Sequence, residues 1–545
     1  MPKGEITADI SDNPAVGKLL FAFVCLVFIG IIVVPAIYVC FEMFARWSDV
    51  KLVYGNPELL GYVAGAVFNS FSIAFIVSVI DIIVGLPMAW IMVRKTFRGK
   101  RFLDTLMDMP LAFPTAVLGM SVVMFWGAPE GVTIQGLGLH ISPYVMVILL
   151  HIIFTFPYMV RSLSAILEQI DLNYETAGRT LGAPAWTAVR TITLPLFRAG
   201  FVTGFILCFA RSLSETGGTM IALNMMGVDS FFFTGPTFIS FMKRGDSIPP
   251  EGYGAMILVS VIMILLALLL LFAVRRISRG LNLPESRIFV GFERKISRNA
   301  VPKVKDVISV VFLFVIVLIP SFYIFMYLTE IPESIDWAPF FKSMGTSFLI
   351  AGIAVAVNIL MGISMAMYIA RNKESKLGSA LDTLVNIPLI IPTTALGFSL
   401  SLFWAMAAPG WPSLILVILG HISFTYPLVV RNMVGAIEET DPSYEEIART
   451  LGASRFRSFR EVLLPIIKPS VAAGAILAFT RSLGETGATQ AIAGTDVVTV
   501  PVFLVNMVNS GNFAEAALCS MILIAVCFVL TFGVRYFLAG GEKNA

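Results

Sequence analysis

Two short stretches put opposite charges inside otherwise apolar sequence, Arg211-Ser-Leu-Ser-Glu215-Thr-Gly217 and Arg481-Ser-Leu-Gly-Glu485-Thr-Gly487. An arginine and a glutamate four residues apart share one face of a helix and can pair. Ionisable groups in such surroundings are costly and tend to be functional. Two readings are open for both pairs: a structural ion pair that fixes helix packing, or side chains lining an external gate or vestibule. Asp81 and its counterpart Asn358, and His151 and His421, sit in similar surroundings, where interhelical hydrogen bonding is preferred over substrate contact. Little else in the chain has chemistry to offer. Cys25, Cys40, Cys208, Cys519 and Cys527 form no C-x-x-C pair and lie near no histidine at metal-ligand spacing, so no metal site is expected. Neither Gly17-Lys18 nor Gly99-Lys100 completes a G-x-x-x-x-G-K-[ST] phosphate loop. The chain is expected to bind no cofactor and to be no enzyme.

The elements that must hold these residues are set by composition. The 545 residues are 57% hydrophobic and 13% charged, with a mean hydropathy of +0.87. Soluble domains carry about 25% charged residues, so a lipid bilayer is the expected surrounding. The net charge of +3 is too small to suggest a nucleic-acid partner. A bilayer core takes about 20 apolar residues per helix. Such segments recur at 18–42, 60–93, 103–127, 142–165, 197–222, 253–274, 307–329, 342–370, 380–406, 413–435, 467–493 and 512–538. They predict an all-α polytopic membrane protein with twelve transmembrane helices. Pro110, Pro114, Pro388 and Pro392 are expected to bend the third span of each half. If the fifth span starts near 197, Arg211 lies about 21 Å along it, in its outer half. The N-terminal stretch, with Glu5, Asp9 and Asp12, lacks the basic lead of a cleavable signal, so the first span is read as retained.

Lysine and arginine fix the expected orientation. Arg94, Lys95, Arg98, Lys100 and Arg101 follow the second span, and Arg371, Lys373 and Lys376 follow the eighth. Between the halves lie Arg275, Arg276, Arg279, Arg287, Arg294, Lys295, Arg298, Lys303 and Lys305. Loops of the other side hold little more than Arg46, Lys51, Lys243 and Arg244. The basic loops and both termini are therefore expected in the cytoplasm.

An internal repeat organises the chain. His151-Ile-Ile-Phe-Thr-Phe-Pro matches His421-Ile-Ser-Phe-Thr-Tyr-Pro, and about 30 of the 70 positions from 151 to 220 recur between 421 and 490. Upstream, Pro110, Pro114 and Gly119 pair with Pro388, Pro392 and Gly397 across a longer external loop near 128–141. Each copy holds six spans, so the two are parallel repeats related by an axis along the membrane normal, with a pathway expected between them. The expected division is a first transmembrane domain over 1–275, a basic linker over 276–306 and a second domain over 307–545.

Each copy carries a polar segment between its fourth and fifth spans. The first reads Glu168-Gln-Ile-Asp-Leu-Asn-Tyr-Glu-Thr-Ala-Gly-Arg-Thr-Leu-Gly182, nine residues, then Ile192-Thr-Leu-Pro195. The second reads Glu438-Glu-Thr-Asp-Pro-Ser-Tyr-Glu-Glu-Ile-Ala-Arg-Thr-Leu-Gly452, nine residues, then Val462-Leu-Leu-Pro465. Asp171 and Asp441 suit helix N-caps, acidic residues follow in the first turn, and the glycine suits a left-handed stop.

This segment resembles the EAA loop of permeases in binding-protein-dependent ABC importers, the group with the MetI-like fold. The family pattern is Glu-Ala-Ala, three residues, Gly, nine residues, Ile-x-Leu-Pro. Glu446-Ile447-Ala448 meets it in the second copy, whereas the first reads Thr176-Ala177-Gly178 with Glu175 one position early, and Val462 replaces the isoleucine. The resemblance implies a coupling helix in each loop that docks on a cytoplasmic ABC ATPase subunit. Asp171, Tyr174, Glu175, Ala177, Gly182, Leu194 and Pro195 would serve the first, and Asp441, Tyr444, Glu445, Glu446, Ala448, Gly452, Leu464 and Pro465 the second. It further implies two ATPase subunits and an extracytoplasmic substrate-binding protein docking on the external loops 223–252 and 494–511. The run from Arg481 to Ala488 resembles the Arg-Ala-Leu-Gly-Glu-Phe-Gly-Ala type of sulfate, molybdate and tungstate permeases, with threonine in place of phenylalanine at 216 and 486. Iron(III) and thiamine permeases of the same superfamily are commonly fused in this way. The implied cargo is a small oxyanion, with iron(III), thiamine or an organophosphonate as alternatives. Outside the family, an ion-coupled secondary transporter with two six-span halves would also show a parallel repeat, and a non-transporting scaffold or signalling subunit would show no substrate flux.

Overall fold

In hydrocarbon no water can satisfy the peptide groups, so long apolar stretches must close their hydrogen bonds internally as helices. The computed structural model describes residues 14–127, 140–228, 230–243, 248–280, 293, 297, 300–329, 335–493 and 496–540, and among them every regular element is helical. Glu5, Asp9, Asp12, Arg244, Arg287, Arg294, Lys295 and Arg298, with most of the external stretch near 128–141, lie outside the described residues.

Eight described helices are long and apolar enough to cross a membrane, and three strongly bent pairs raise the number to as many as eleven. Eleven is the largest number among the described residues, one fewer than the expected twelve. The segment predicted at 512–538 forms the helix Phe513–Gly540. The bends fall in the third span of each half, where Pro110, Pro114, Pro388 and Pro392 predict them, and in the fifth span of the first half. Lys100–Leu111 meets Thr115–Trp126 at 103°, and Lys376–Ile390 meets Thr393–Ala407 at 105°. The cause is local. Phe113 and Ile391 each precede a proline and are extended (φ −84°, ψ 133° and φ −70°, ψ 129°), because a following proline ring disfavours the helical region.

Within each half the second and fourth spans pack along each other, Pro57–Arg94 on Pro143–Gln169 and Trp337–Arg371 on Ser413–Glu439. The short helices after the broken fifth spans, Gly217–Met225 and Gly487–Ala493, lie against Thr115–Trp126 and Thr393–Ala407. Close approach is what the small residues permit. A Cβ on Gly397 would fall 2.7 Å from both Cα and O of Ala488. Since backbone rather than a pliable side chain stands in the way, Gly397→Ala is expected to cost about 1–3 kcal/mol. Gly352→Ala, which meets nothing within 4 Å, should leave the melting temperature of the purified chain nearly unchanged and serves as its control.

The first span of each half packs on the other half. Val34–Ala45 lies on Thr393–Ala407, and the stretch through Ile319–Phe322 lies on Thr115–Trp126. Each contact has the same construction. Val39 N donates to Ser399 Oγ at 2.9 Å, and that hydroxyl donates to Pro35 O at 2.7 Å. Ile324 N donates to Ser121 Oγ at 3.0 Å, which donates to Pro320 O at 2.6 Å. A serine from the opposite half thus stands where a direct bond between residues four apart would close the helix, beside a proline that breaks the ladder.

Candidate functional site

The loop helices are fixed by their termini. Asp171 Oδ1 accepts from Asn173 N and Asp441 Oδ1 from Ser443 N, each at 2.9 Å, opening Leu172–Thr180 and Ser443–Thr450. The second helix has Pro442 at its formal N-cap, one residue later than expected. The Ser443 backbone N–H holds the Asp441 carboxyl below its ordinary range. At the other end, Gly182 (φ +92°) and Gly452 (φ +91°) adopt the left-handed region. Ala183 N then reaches Gly178 O at 3.2 Å and Ala453 N reaches Ala448 O at 3.0 Å, satisfying carbonyls that the helix end leaves open.

Each loop has one anchored and one bare side. Tyr174, Leu181, Tyr444, Ile447 and Leu451 are exposed, Leu181 at 90% and Leu451 at 84%. Ala177 and Glu446 are also exposed, and Ala448 is half-buried. Inward, Glu175 accepts from Thr193 at 2.7 Å and stands 3.9 Å from Arg94, while Glu445 pairs with Arg371. Glu175 and Glu445 therefore play one part, and the acidic anchor of the second loop is Glu445 rather than the pattern's Glu446. Sequence reasoning missed Arg94 and Arg371. The alignment that pairs Asp81 with Asn358 also pairs these two, and would have found them. The loops are not equal in every respect, because Glu293 of the linker pairs with Arg190 at 2.6 Å and Trp186 N donates to Ser297 Oγ at 3.1 Å. Leu194 and Leu464, each followed by a proline in the first turn, open Leu194–Leu213 and Leu464–Leu483. From Leu194, Arg211 lies about 25 Å further along, so loops and charged pairs occupy opposite ends of the same helices.

Both charged pairs form. Arg211 Nη1 lies 2.9 Å from Glu215 Oε2, and Arg481 Nη1 lies 2.5 Å from Glu485 Oε2. They do not share a continuous helix as expected. The arginine ends one helix, the glutamate stands in the break beyond it, and Glu215 and Glu485 cap the next helix by accepting from Gly218 N at 3.0 Å and Ala488 N at 2.9 Å. Each guanidinium also lies over a ring, Arg211 on Phe154 at 4.6 Å and Arg481 on Phe424 at 5.3 Å.

The two breaks meet between the halves. Thr216 Oγ1 and Thr394 Oγ1 are 2.6 Å apart, and a Cβ on Gly217 would meet Thr486 Oγ1 at 2.3 Å. This constriction closes one end of a cavity of about 240 Å³ whose walls include Tyr158, Arg211, Ser214, Thr393, Thr480 and Arg481. Leu207 and Leu477, one turn nearer the loops than the arginines, also line it. The cavity therefore lies on the loop side of the constriction. Around it, His151 bridges Ser212 at 2.7 Å and Thr219 at 3.0 Å, and His421 bridges Ser482 and Thr489 at the same distances. Arg161 grips Asp104 and Asp108, and Arg431 grips Asp382 and Asn386, ties that sequence reasoning also missed.

A pseudo-symmetric cavity between two six-helix-type halves, with a matched polar loop below each, is the layout of a transport subunit. Residues 81–283 and 358–540 both match the family described as binding-protein-dependent transport system inner membrane component. The chain belongs to this family. It is a multi-pass membrane permease built from two MetI-like domains, a transport subunit and not an enzyme, and the family works with ATPase and substrate-binding partners. Membership removes the secondary carrier and the scaffold as readings. The permease is similar to the sulfate transport system permease protein CysT of Salmonella typhimurium, 31% identical over 256 residues, 42% of this chain and 88% of the relative. It is similar also to the molybdenum transport system permease protein ModB of Escherichia coli, 30% identical over 219 residues, 39% of this chain and 94% of the relative. With CysT of Escherichia coli it shares 32% identity over 177 residues, 32% of this chain and 62% of the relative.

Proposed function

We propose that this permease forms the path for a small inorganic oxyanion of the sulfate, molybdate and tungstate class. The observation that carries the reading is the pair of arginines on one cavity. Each commits Nη1 to a buried glutamate and lines the cavity between the halves. The carboxylates sit behind the guanidinium groups, only 2–3% exposed, so an anion in the cavity meets the positive end of each pair first. Similarity to sulfate and molybdenum permeases supports the same class.

Two cytoplasmic ATPase subunits would engage the bare faces around Tyr174 and Leu181 and around Tyr444 and Leu451. Closure of those subunits would draw the loops together and part the constriction at Thr216 and Thr486, admitting cargo from an extracytoplasmic binding protein docked on 223–252 and 494–511. Hydrolysis would return the inward-opening arrangement. In this reading the basic loops, both termini and the linker 276–306 between the domains 1–275 and 307–545 face the cytoplasm.

Uptake of labelled sulfate and molybdate into ATP-loaded vesicles carrying the whole importer tests the cargo. The expected result is that each anion displaces the other while thiamine, iron(III) and methylphosphonate leave uptake unchanged. Displacement by one of those three and not by the oxyanions would overturn the assignment.

A further inference from the structure

Asp81 stands in the helix Pro57–Arg94, fully buried, with no ion pair among the described residues and no partner for Oδ1. Its other oxygen lies 2.6 Å from Thr155 Oγ1, and the same threonine oxygen lies 2.7 Å from the His151 carbonyl. A hydroxyl carries one hydrogen. The carbonyl and an ionised carboxylate can only accept, so one hydrogen cannot serve both contacts. Both are satisfied together when the carboxyl supplies a hydrogen of its own.

The second half supplies an internal control. Thr425 Oγ1 lies 2.5 Å from the His421 carbonyl, which repeats the first-half geometry. Opposite it stands Asn358, whose Nδ2 donates to Thr425 Oγ1 at 2.8 Å and also faces the Ile422 carbonyl at 3.3 Å. Turning that amide round would set oxygen against a carbonyl, so the donor assignment is determined by its surroundings. Asn358 Oδ1 lacks a partner just as Asp81 Oδ1 does. The repeat thus presents an amide donor in one half and a carboxyl in the other, in the same place and with the same orphaned oxygen.

We propose that Asp81 is a positioning residue that works as a neutral carboxylic acid, donating from Oδ2 to Thr155 as Asn358 donates to Thr425. An ionised carboxylate here would be buried with neither a counter-charge nor enough donors, an arrangement that desolvation strongly disfavours. As an acid it holds Thr155 against His151, whose ring ties the fourth span to Ser212 and to Thr219 on the helix beside the constriction. Asp81 is thereby linked through Thr155 and His151 to the moving end of the path without touching the cavity.

Infrared difference spectroscopy of the purified full chain in lipid nanodiscs, wild type minus Asp81→Asn, tests this directly. The expected difference is loss of one protonated-acid carbonyl stretch with no change in the carboxylate stretches, and Asn358→Asp should add a second such band. A difference confined to carboxylate stretches would overturn the proposal. The ATPase rate of the complex isolated with its ATPase subunit gives a second reading. Asp81→Asn should stay within about twofold of wild type while Asp81→Ala falls about tenfold, and an Asp81→Asn variant as slow as Asp81→Ala would mean that the charge itself is required. The spectroscopic arm needs neither partner nor cargo, so its result stands whatever the importer carries.

Discussion

Arg481→Met should lower the stability of the purified chain by about 3–5 kcal/mol, because it strands Glu485 in a buried site without its counter-charge. Glu485 is 3% exposed and the Arg481 side chain 19% exposed, so solvent screens the pair little. The Ala488 N–H and the Thr393 hydroxyl would remain to the carboxylate. Arg481→Met with Glu485→Met should recover most of the loss, since a matched apolar pair removes both desolvation terms together. Thermal unfolding in mild detergent measures both variants, and Arg211→Met with Glu215→Met repeats the test in the first half. A single variant as stable as wild type would show that water reaches the carboxylate and that the pair contributes nothing to packing. Transport completes the separation of the two readings. If the double variant regains stability and still moves no anion, the arginine acts on the path and not only on the fold.

Gly182→Val together with Gly452→Val should abolish most coupling between ATP hydrolysis and transport. A β-branched residue at φ near +90° is strained by about 1–3 kcal/mol, and here the strain falls where the helix must stop and its last carbonyls must be met. Relief requires the loop to re-route, which displaces Leu181 and Leu451 from the bare face. The measurement is stimulation of ATPase activity by loaded binding protein, with the amount of ATPase subunit that co-purifies. Gly410→Val, at φ +83° with nothing near it in the turn after Thr393–Ala407, imposes similar strain elsewhere and should leave coupling intact. Equal loss in both would indicate general destabilisation and would count against a coupling role for the two loops.

Much of this architecture can be read from the residues. The duplicated block from His151 and His421 onward declares the two halves, and the Gly-stop loops declare their family. What escaped reading was where helices end inside the membrane. Ser214-Glu215-Thr216 follows an apolar helix and satisfies the four-residue spacing of an ion pair, so it reads as a continuation. In fact Glu215 leaves the helix in order to cap the next one, and no hydropathy pattern distinguishes the two. The breaks at Phe113 and Ile391, by contrast, were legible, because a proline follows each. Arg94 and Arg371 were lost in a basic loop read only for its charge, although each is committed to a particular glutamate. The offset Glu175 looked like a defect in the loop pattern, yet Glu175 and Glu445 occupy one position, and the pattern's own acid, Glu446, faces outward.

The serine contacts between halves bear on how the chain is made. The Pro35 carbonyl waits for a hydroxyl 364 residues downstream, so this helix cannot complete that contact during synthesis of its neighbours. Until the third span of the later domain arrives, that turn must be served by water, lipid headgroups or an insertion factor. The converse holds for Pro320, whose serine is already in the membrane when the helix emerges. Biogenesis is therefore lopsided even though the finished molecule is nearly symmetric. The early-made half matures last, and a product truncated before Ser399 would carry an open proline turn that quality control could recognise.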